Sequence, residues 1–161
     1  MKTLIFNGSP RKDGDTVSLL NELLKHIKGE YKIIDTYYSN IKPCIDCRYC
    51  WEEDGCCQED EWKEVDTYIR ECENIVIASP IYFSELTGQL LSSVSKIQAY
   101  WSARFFRKKE IISKPKKGGI ILIGGGDGHM STPIDTATDI LYHMNAHNVA
   151  PAVCSHDTNN K

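Results

Sequence analysis

Short, continuous apolar runs alternate five times over with stretches of helical period, and few folds accept that pattern. Asn74-Ile75-Val76-Ile77-Ala78-Ser79 is apolar and β-branched through its middle, as suits a strand buried on both faces. Residues 2–8, 31–35, 119–123 and 149–154 read as four more strands. Between them, Leu20, Leu23, Leu24 and Ile27 mark one face of a helix that Gly29 stops. Trp62, Val65 and Ile69 mark a second. Leu90, Leu91, Val94, Ile97 and Trp101 mark a third, and Ile134, Ala137, Ile140, Leu141 and Met144 a fourth. Thr132-Pro133 reads as the cap and first residue of that last helix. The alternation predicts one α/β domain over residues 1–161, a doubly wound parallel sheet of five strands with helices on both faces. Ligands of such sheets lie outside the carboxyl ends of the strands, where the strand order switches.

The charge balance narrows the partners. A net charge of −3 gives no electrostatic case for nucleic acid or an anionic membrane surface. The apolar start breaks at Asn7-Gly8, too early for a signal peptide or a membrane span. The reading is a cytoplasmic protein. Seven cysteines are many for such a chain, and because cytoplasmic thiols stay reduced, their clustering points to metal or redox chemistry instead of a disulfide framework.

Three loops fall at the predicted ligand edge. Gly8-Ser9-Pro10-Arg11-Lys12-Asp13-Gly14-Asp15-Thr16 joins the first strand to the first helix and is rich in donors. Hydroxyls, a guanidinium and free N–H groups at a helix N-terminus suit a phosphate. The loop is neither the G-x-G-x-x-G fingerprint nor a P-loop. Ser79-Pro80-Ile81-Tyr82-Phe83-Ser84 follows the third strand and Gly124-Gly125-Gly126-Asp127-Gly128 the fourth. An aromatic loop facing a glycine loop suits a flat ring, walled by the aromatics and approached by bare backbone.

Gly8-Ser9-Pro10-Arg11…Thr16, Ser79-Pro80-Ile81-Tyr82-Phe83 and the glycine loop resemble the NADPH-dependent FMN reductase family of flavodoxin-like proteins. Pro43-Cys44-Ile45-Asp46-Cys47-Arg48-Tyr49-Cys50…Cys56, in a cysteine-rich loop at residues 43–60, resembles the family's iron–sulfur flavoprotein branch. The resemblance implies strand order 2-1-3-4-5 and bound flavin mononucleotide (FMN). It assigns the phosphate to Ser9, Arg11 and Thr16, and the ring and ribityl chain to Pro80, Ile81, Tyr82, Phe83, Gly125 and Gly126. Lys12, Asp15, Val17 and Asp127 complete the implied cofactor set.

The cysteines also speak for themselves. Cys44-x₂-Cys47-x₂-Cys50 packs three thiolates into seven residues, and Cys56 follows after five more. Such spacing lets one loop wrap three corners of a [4Fe–4S] cubane while a fourth thiolate closes it. Redox-active thiols and a zinc site are the alternatives, zinc fitting less well because its ligands usually come as two separated pairs. Cys57 competes with Cys56 for the fourth place, and the spacing favours Cys56. Cys72 and Cys154 read as small buried hydrophobes. The basic residues from Arg104 to Lys117 read as a solvated surface, and His143 and His147 lack a third metal ligand.

These readings converge on an FMN-dependent oxidoreductase in which a cluster relays single electrons and the cofactor carries the chemistry. No side chain is assigned as general base or nucleophile. A nicotinamide donor, NAD(P)H, or a redox partner protein would supply the electrons. A cluster-free NAD(P)H-dependent FMN or quinone reductase is the first alternative, and an electron carrier with no substrate of its own the second. One departure stands out: flavodoxin-like domains end in a fifth helix, but this sequence ends on Asp157-Thr158-Asn159-Asn160-Lys161. The missing helix leaves one sheet face to be covered, which predicts a homo-oligomer, a dimer or tetramer.

Overall fold

A computed structural model describes residues 1–159, so Asn160 and Lys161 of the expected polar tail lie outside the described residues. The sheet comprises β1 (Lys2–Asn7), β2 (Glu30–Asp35), β3 (Asn74–Pro80), β4 (Lys117–Ile123), β5 (Asn148–Val149) and β6 (Val153–Ser155). Its order is β2-β1-β3-β4-β5, with β6 also on β4, and every pairing is parallel. The flavodoxin-like order and the doubly wound architecture are therefore as expected.

Register explains the core. Ile34, Phe6, Ile77 and Ile120 stand opposite one another across four strands. All four are buried in one cluster, with Leu90 of α4 (Gly88–Val94), Ile69 of α3 (Trp62–Glu71) and Leu141 of α6 (Ser131–His143). Their sequence neighbours Ile5, Val76, Ala78 and Ile121, together with Ile123, face the other way and pack on Leu20 of α1 (Asp15–Leu24). Strand period 2 thus divides the apolar residues between two faces. On the face that the sequence reading left without a covering helix, α1 lies over β3 and β4. Val76 and Ile121 are only 8% and 6% exposed there. Apolar exposure on that side is narrower than that expectation, and Val153 at the edge is its clearest case.

Three elements differ from the sequence reading. The fifth strand is two short pieces: the Ala150 N–H still reaches Gly118 O at 3.0 Å, but Pro151 has no N–H to continue the ladder, and pairing resumes at Val153. The third helix is broken into α4, a 3₁₀ turn (Ser95–Ile97) and α5 (Gln98–Phe106). The last helix starts at Ser131 with no side-chain cap, so Thr132 is not its cap. Pro133 still falls in the first turn, where a missing N–H costs nothing.

Gly29 has φ +105°, and a Cβ there would stand 2.3 Å from the backbone oxygen of Met1. That oxygen also accepts the Glu30 N–H at 3.0 Å, the contact that starts the β1–β2 ladder. Gly29→Ala should therefore lower unfolding stability by about 1–3 kcal/mol through backbone strain. Denaturant titration should show this as a lower midpoint with an unchanged slope.

Candidate functional site

Asn7, at the carboxyl end of β1, organises the first loop. Its amide donates to Asp35 Oδ1 at 2.7 Å, and its side-chain oxygen accepts the Ser9 N–H at 3.1 Å. Gly8 sits where the backbone must pass close to other elements. A Cβ there would meet Thr87 Oγ1 at 2.9 Å and Ser79 Oγ at 3.0 Å. The Ser9 hydroxyl, almost buried, accepts the Arg11 N–H at 3.2 Å and donates to Arg11 O at 3.0 Å. Gly14 precedes α1 in extended conformation with no side-chain cap, so the first-turn N–H groups face outward with the positive end of the helix dipole. A Cβ on Gly14 would lie 3.1 Å from Arg11 Nε, which places the guanidinium over that helix start.

These residues open onto a cavity of about 430 Å³ at the strand ends, within the range of small-molecule sites. Of the residues expected to bind a cofactor, Ser9, Arg11, Asp15, Thr16, Pro80, Ile81, Tyr82 and Gly125 line it. Lys12, Val17, Phe83, Gly126 and Asp127 are not among its lining residues. Lys12 instead stacks its ammonium 4.7 Å from the Tyr38 ring, whose hydroxyl donates to Pro10 O. Thr158 and Asn159 line the cavity without having been singled out in the sequence. The tail crosses the glycine loop, with the Thr158 N–H on Gly124 O at 3.3 Å, and a Cβ on Gly125 would meet Asn159 Nδ2 at 2.6 Å. Only the bare glycine, which says nothing about the tail, signals that contact.

The loop after β3 is strained. Phe83 and Ser84 both have positive φ, +51° and +58°, in a turn closed by reciprocal Tyr82–Glu85 backbone hydrogen bonds. Such a turn normally uses Asn-Gly. The Glu85 carboxylate ties the turn to α6 by accepting the Thr136 hydroxyl at 2.8 Å, and the Phe83 ring is fully exposed.

The cysteine loop lies beyond β2 and includes the short helix α2 (Tyr49–Glu52). Cys44, Cys47, Cys50, Cys56 and Cys57 all line one recess of about 30 Å³, room for little more than a water. Cys56 is half-buried against the core, whereas Cys57 is exposed, with its Sγ 3.1 Å from that of Cys47. The Tyr49 N–H and the Cys57 thiol both favour the Cys47 thiolate and lower its pKa. The same contact pushes Cys57 up to about 11. As donors, five thiols on one recess suit an iron–sulfur cluster. One tetrahedral ion suits them less: bonds of ~2.3 Å set its sulfur ligands ~3.8 Å apart, and no three His, Cys, Asp or Glu among the described residues converge on a single-ion site. A cluster requires these thiols to spread.

A buried ion pair holds the loop to the domain. The side chains of Asp60 and Lys96 are both 0% exposed and bonded to each other. Asp60 also accepts the N–H of Lys42 at 2.9 Å and of Trp62 at 3.0 Å. Ser95, beside Lys96, accepts the Cys44 N–H at 2.9 Å. Burial opposes ionisation of Asp60, but the Lys96 ammonium and the two backbone N–H groups outweigh it and hold the carboxyl below its usual range. Trp51 stacks on Phe106 of α5, with ring centroids 4.1 Å apart. The basic stretch is only partly a solvated surface: Lys116 is buried, with its ammonium on Lys114 O at 2.9 Å. Of the two cysteines outside the loop, Cys72 is buried as expected and Cys154 half-buried.

A family model described as NADPH-dependent FMN reductase matches residues 1–160. An iron–sulfur flavoprotein of Methanocaldococcus jannaschii is 34% identical over 93 residues, 56% of this chain and 48% of its own length. One from Methanosarcina thermophila is 26% identical over 146 residues, 88% of this chain and 73% of its own. The chain thus spans about half the length of the first of these relatives. An FMN-dependent NADH-azoreductase of Bacillus anthracis, solved in complex with FMN, shares the fold at a TM-score of 0.70 and 14% identity, covering 98% of this chain and 88% of its own.

Asp60→Asn leaves the Lys96 ammonium buried without its counter-charge and should cost about 3–5 kcal/mol of stability. The Asp60→Asn/Lys96→Met pair should cost less than the sum of the single changes. Because the folded carboxyl titrates below its unfolded value of about 4, its contribution is present above that pH and lost as pH falls through the lower, folded value. Acid unfolding of wild type beside the double variant checks the sign.

Proposed function

The chain belongs to the NADPH-dependent FMN reductase family, and from that membership we propose that it binds FMN at the strand ends and works as a flavin-dependent oxidoreductase. The observation that carries this reading is the cavity of about 430 Å³ where the phosphate, aromatic and glycine loops meet. Arg11 and the uncapped start of α1 hold the phosphate there, with Ser9 and Thr16 beside it. Pro80, Ile81 and Tyr82 wall the ring, and Gly125 lets backbone approach its edge. Bound flavin supplies an exchange between two-electron and one-electron partners, with NAD(P)H or a redox protein as donor.

The finer part of the proposal is a [4Fe–4S] cluster on Cys44, Cys47, Cys50 and Cys56. Its support is the donor set, five thiols on one recess against the start of α5, and the names of the archaeal relatives. The loop's part is to present the thiols, and that of Asp60, Lys96 and Ser95 is to fix both ends of the loop. The closeness of Cys47 and Cys57 favours the second reading, a cluster-free NAD(P)H-dependent FMN or quinone reductase. Steady-state NAD(P)H oxidation separates both from a carrier without a substrate.

The proposed assembly is a homo-oligomer. The face under α1, which the sequence left to be covered, exposes little apolar surface, but on α5 and α6 of the other face Trp101, Phe105, Phe106 and Tyr142 are large exposed aromatics that a second copy would cover. No helix among the described residues is long and apolar enough to cross a membrane. A reducing cytoplasmic setting, where thiols stay available to metal, fits the proposal.

Titration with FMN should show Arg11→Ala and Ser9→Ala each weakened by about 1–3 kcal/mol. Unchanged affinity in both would place the phosphate elsewhere. Anaerobic preparation should give one flavin and about four iron per chain, with iron lost in Cys56→Ser and kept in Cys57→Ser. Wild type with flavin and no iron would promote the cluster-free reductase. A monomer by light scattering at micromolar concentration would end the oligomer.

A further inference from the structure

The proposed cluster uses four of the five loop thiols and leaves Cys57 without a role. Yet Cys57 is held against Cys47, ten residues away in sequence, with the two Sγ atoms 3.1 Å apart. We propose that Cys47 and Cys57 form a reversible disulfide, a redox-sensitive pair built into the cysteine loop.

Backbone turns make the meeting specific. Asp46 and Arg48, on either side of Cys47, both have positive φ, +50° and +64°, and Gly55 turns the returning strand of the loop at φ +84° just before Cys56-Cys57. Two of the other thiols are engaged elsewhere. Cys56 packs half-buried against the core, and Cys44 accepts the Asp46 N–H at its own sulfur. Cys47 and Cys57 are both exposed, so a small-molecule disulfide can reach them. To bond, the two sulfurs need approach by only about 1 Å, to the ~2.05 Å of a disulfide.

The oxidant is a small-molecule disulfide such as oxidised glutathione. The thiolate of one cysteine attacks it, forming a mixed disulfide and expelling one glutathione thiolate. The second cysteine gives its proton to water and attacks the protein-bound sulfur, forming the Cys47–Cys57 bond and expelling the other glutathione. Two protein thiols are oxidised by two electrons, and one small disulfide is reduced to two thiols. Cys47 cannot be cross-linked and hold a cluster at once. That exclusion rests on the cluster reading, whereas the pair itself does not.

The test uses the full chain, purified in air, reduced with dithiothreitol, desalted and exposed to oxidised glutathione. Trypsin cuts after Arg48 and so separates Cys47 from Cys57. The linked product is then residues 33–48 joined to 49–63, lighter than the reduced peptides by two hydrogens, with fragmentation placing the bond. We expect Cys47–Cys57 to be the dominant link, restored to thiols by dithiothreitol, retained in Cys56→Ser and absent in Cys57→Ser. Links spread evenly over the five cysteines, or none, would overturn the pair. In a parallel arm, anaerobically prepared protein is assayed for iron before and after the same treatment. Iron that falls as the link appears in wild type, but persists in Cys57→Ser, supports the exclusion. Equal iron loss in both overturns the exclusion. A link in a chain that holds no iron keeps the pair and removes the cluster.

Discussion

A parallel sheet forces every strand-to-helix connection to the same edge, and the chemistry of this protein follows from that constraint. Order β2-β1-β3-β4 makes β1 and β3 neighbours whose following helices, α1 and α4, lie on opposite faces. The chain therefore parts at the carboxyl ends of β1 and β3, and the cavity opens there. Gly8 shows how tightly the parting is made: its N–H reaches Ala78 O at 2.7 Å, its carbonyl accepts the Thr87 hydroxyl at 2.9 Å, and no room remains for a Cβ. Once the loop is fixed on both sides, the N–H groups of α1 have one direction in which to point.

The cysteine loop obeys a different constraint. Residues 43–60 carry few apolar side chains to bury, so hydrophobic packing alone cannot hold them. A wholly buried Asp60–Lys96 pair does so instead, and it also explains why the expected third helix is broken. The 3₁₀ turn at Ser95–Ile97 aims the Lys96 ammonium inward to Asp60 while Ser95 receives the Cys44 N–H. A buried ion pair is weak evidence for net stability, since desolvation offsets much of its attraction. Its geometric effect is firmer. Asp60 takes three donors from three segments, so a shifted loop register would strand an uncompensated charge.

How much of this was legible depends on whether the signal was local. The strands were, because β-branched runs such as Asn74–Pro80 differ from helical period within a few residues. The three loops that line the cavity were legible through Gly, Pro and polar clusters whose backbone demands are local. The 3₁₀ break was not, because Leu90, Val94, Ile97 and Trp101 keep helical period across it and the cause, Asp60, lies 36 residues away. The split last strand was written in Pro151, a residue that denies the ladder its N–H, and a stricter reading of 149–154 finds it. Thr158 and Asn159 left no trace, since a polar tail looks the same whether it lines a cavity or faces water. The pairing of Cys57 with Cys47 depends on left-handed residues at 46 and 48 and on Gly55, and spacing, which favours Cys56 as the fourth ligand, carries no sign of it.

The Phe83-Ser84 turn sharpens the contrast between local preference and fold. Left to itself, a Phe-Ser pair does not choose two consecutive left-handed conformations, and each costs on the order of 1–3 kcal/mol. Natural sequences usually agree with their fold at every level, and conflicts gather where a site imposes them. Here the surroundings over-determine the turn: Tyr82 and Glu85 exchange backbone hydrogen bonds, the Glu85 carboxylate accepts from Thr136 and from the Leu86 N–H, and Ser79 Oγ accepts the Thr87 N–H at 3.2 Å. These contacts clamp both stems of the turn and leave its tip free of packing. Relaxation toward ordinary φ would turn the Tyr82 side of the cavity wall, because Tyr82 is the residue at which the bridge closes. The strain is thus held by the same hydrogen bonds that set the cavity's aromatic wall.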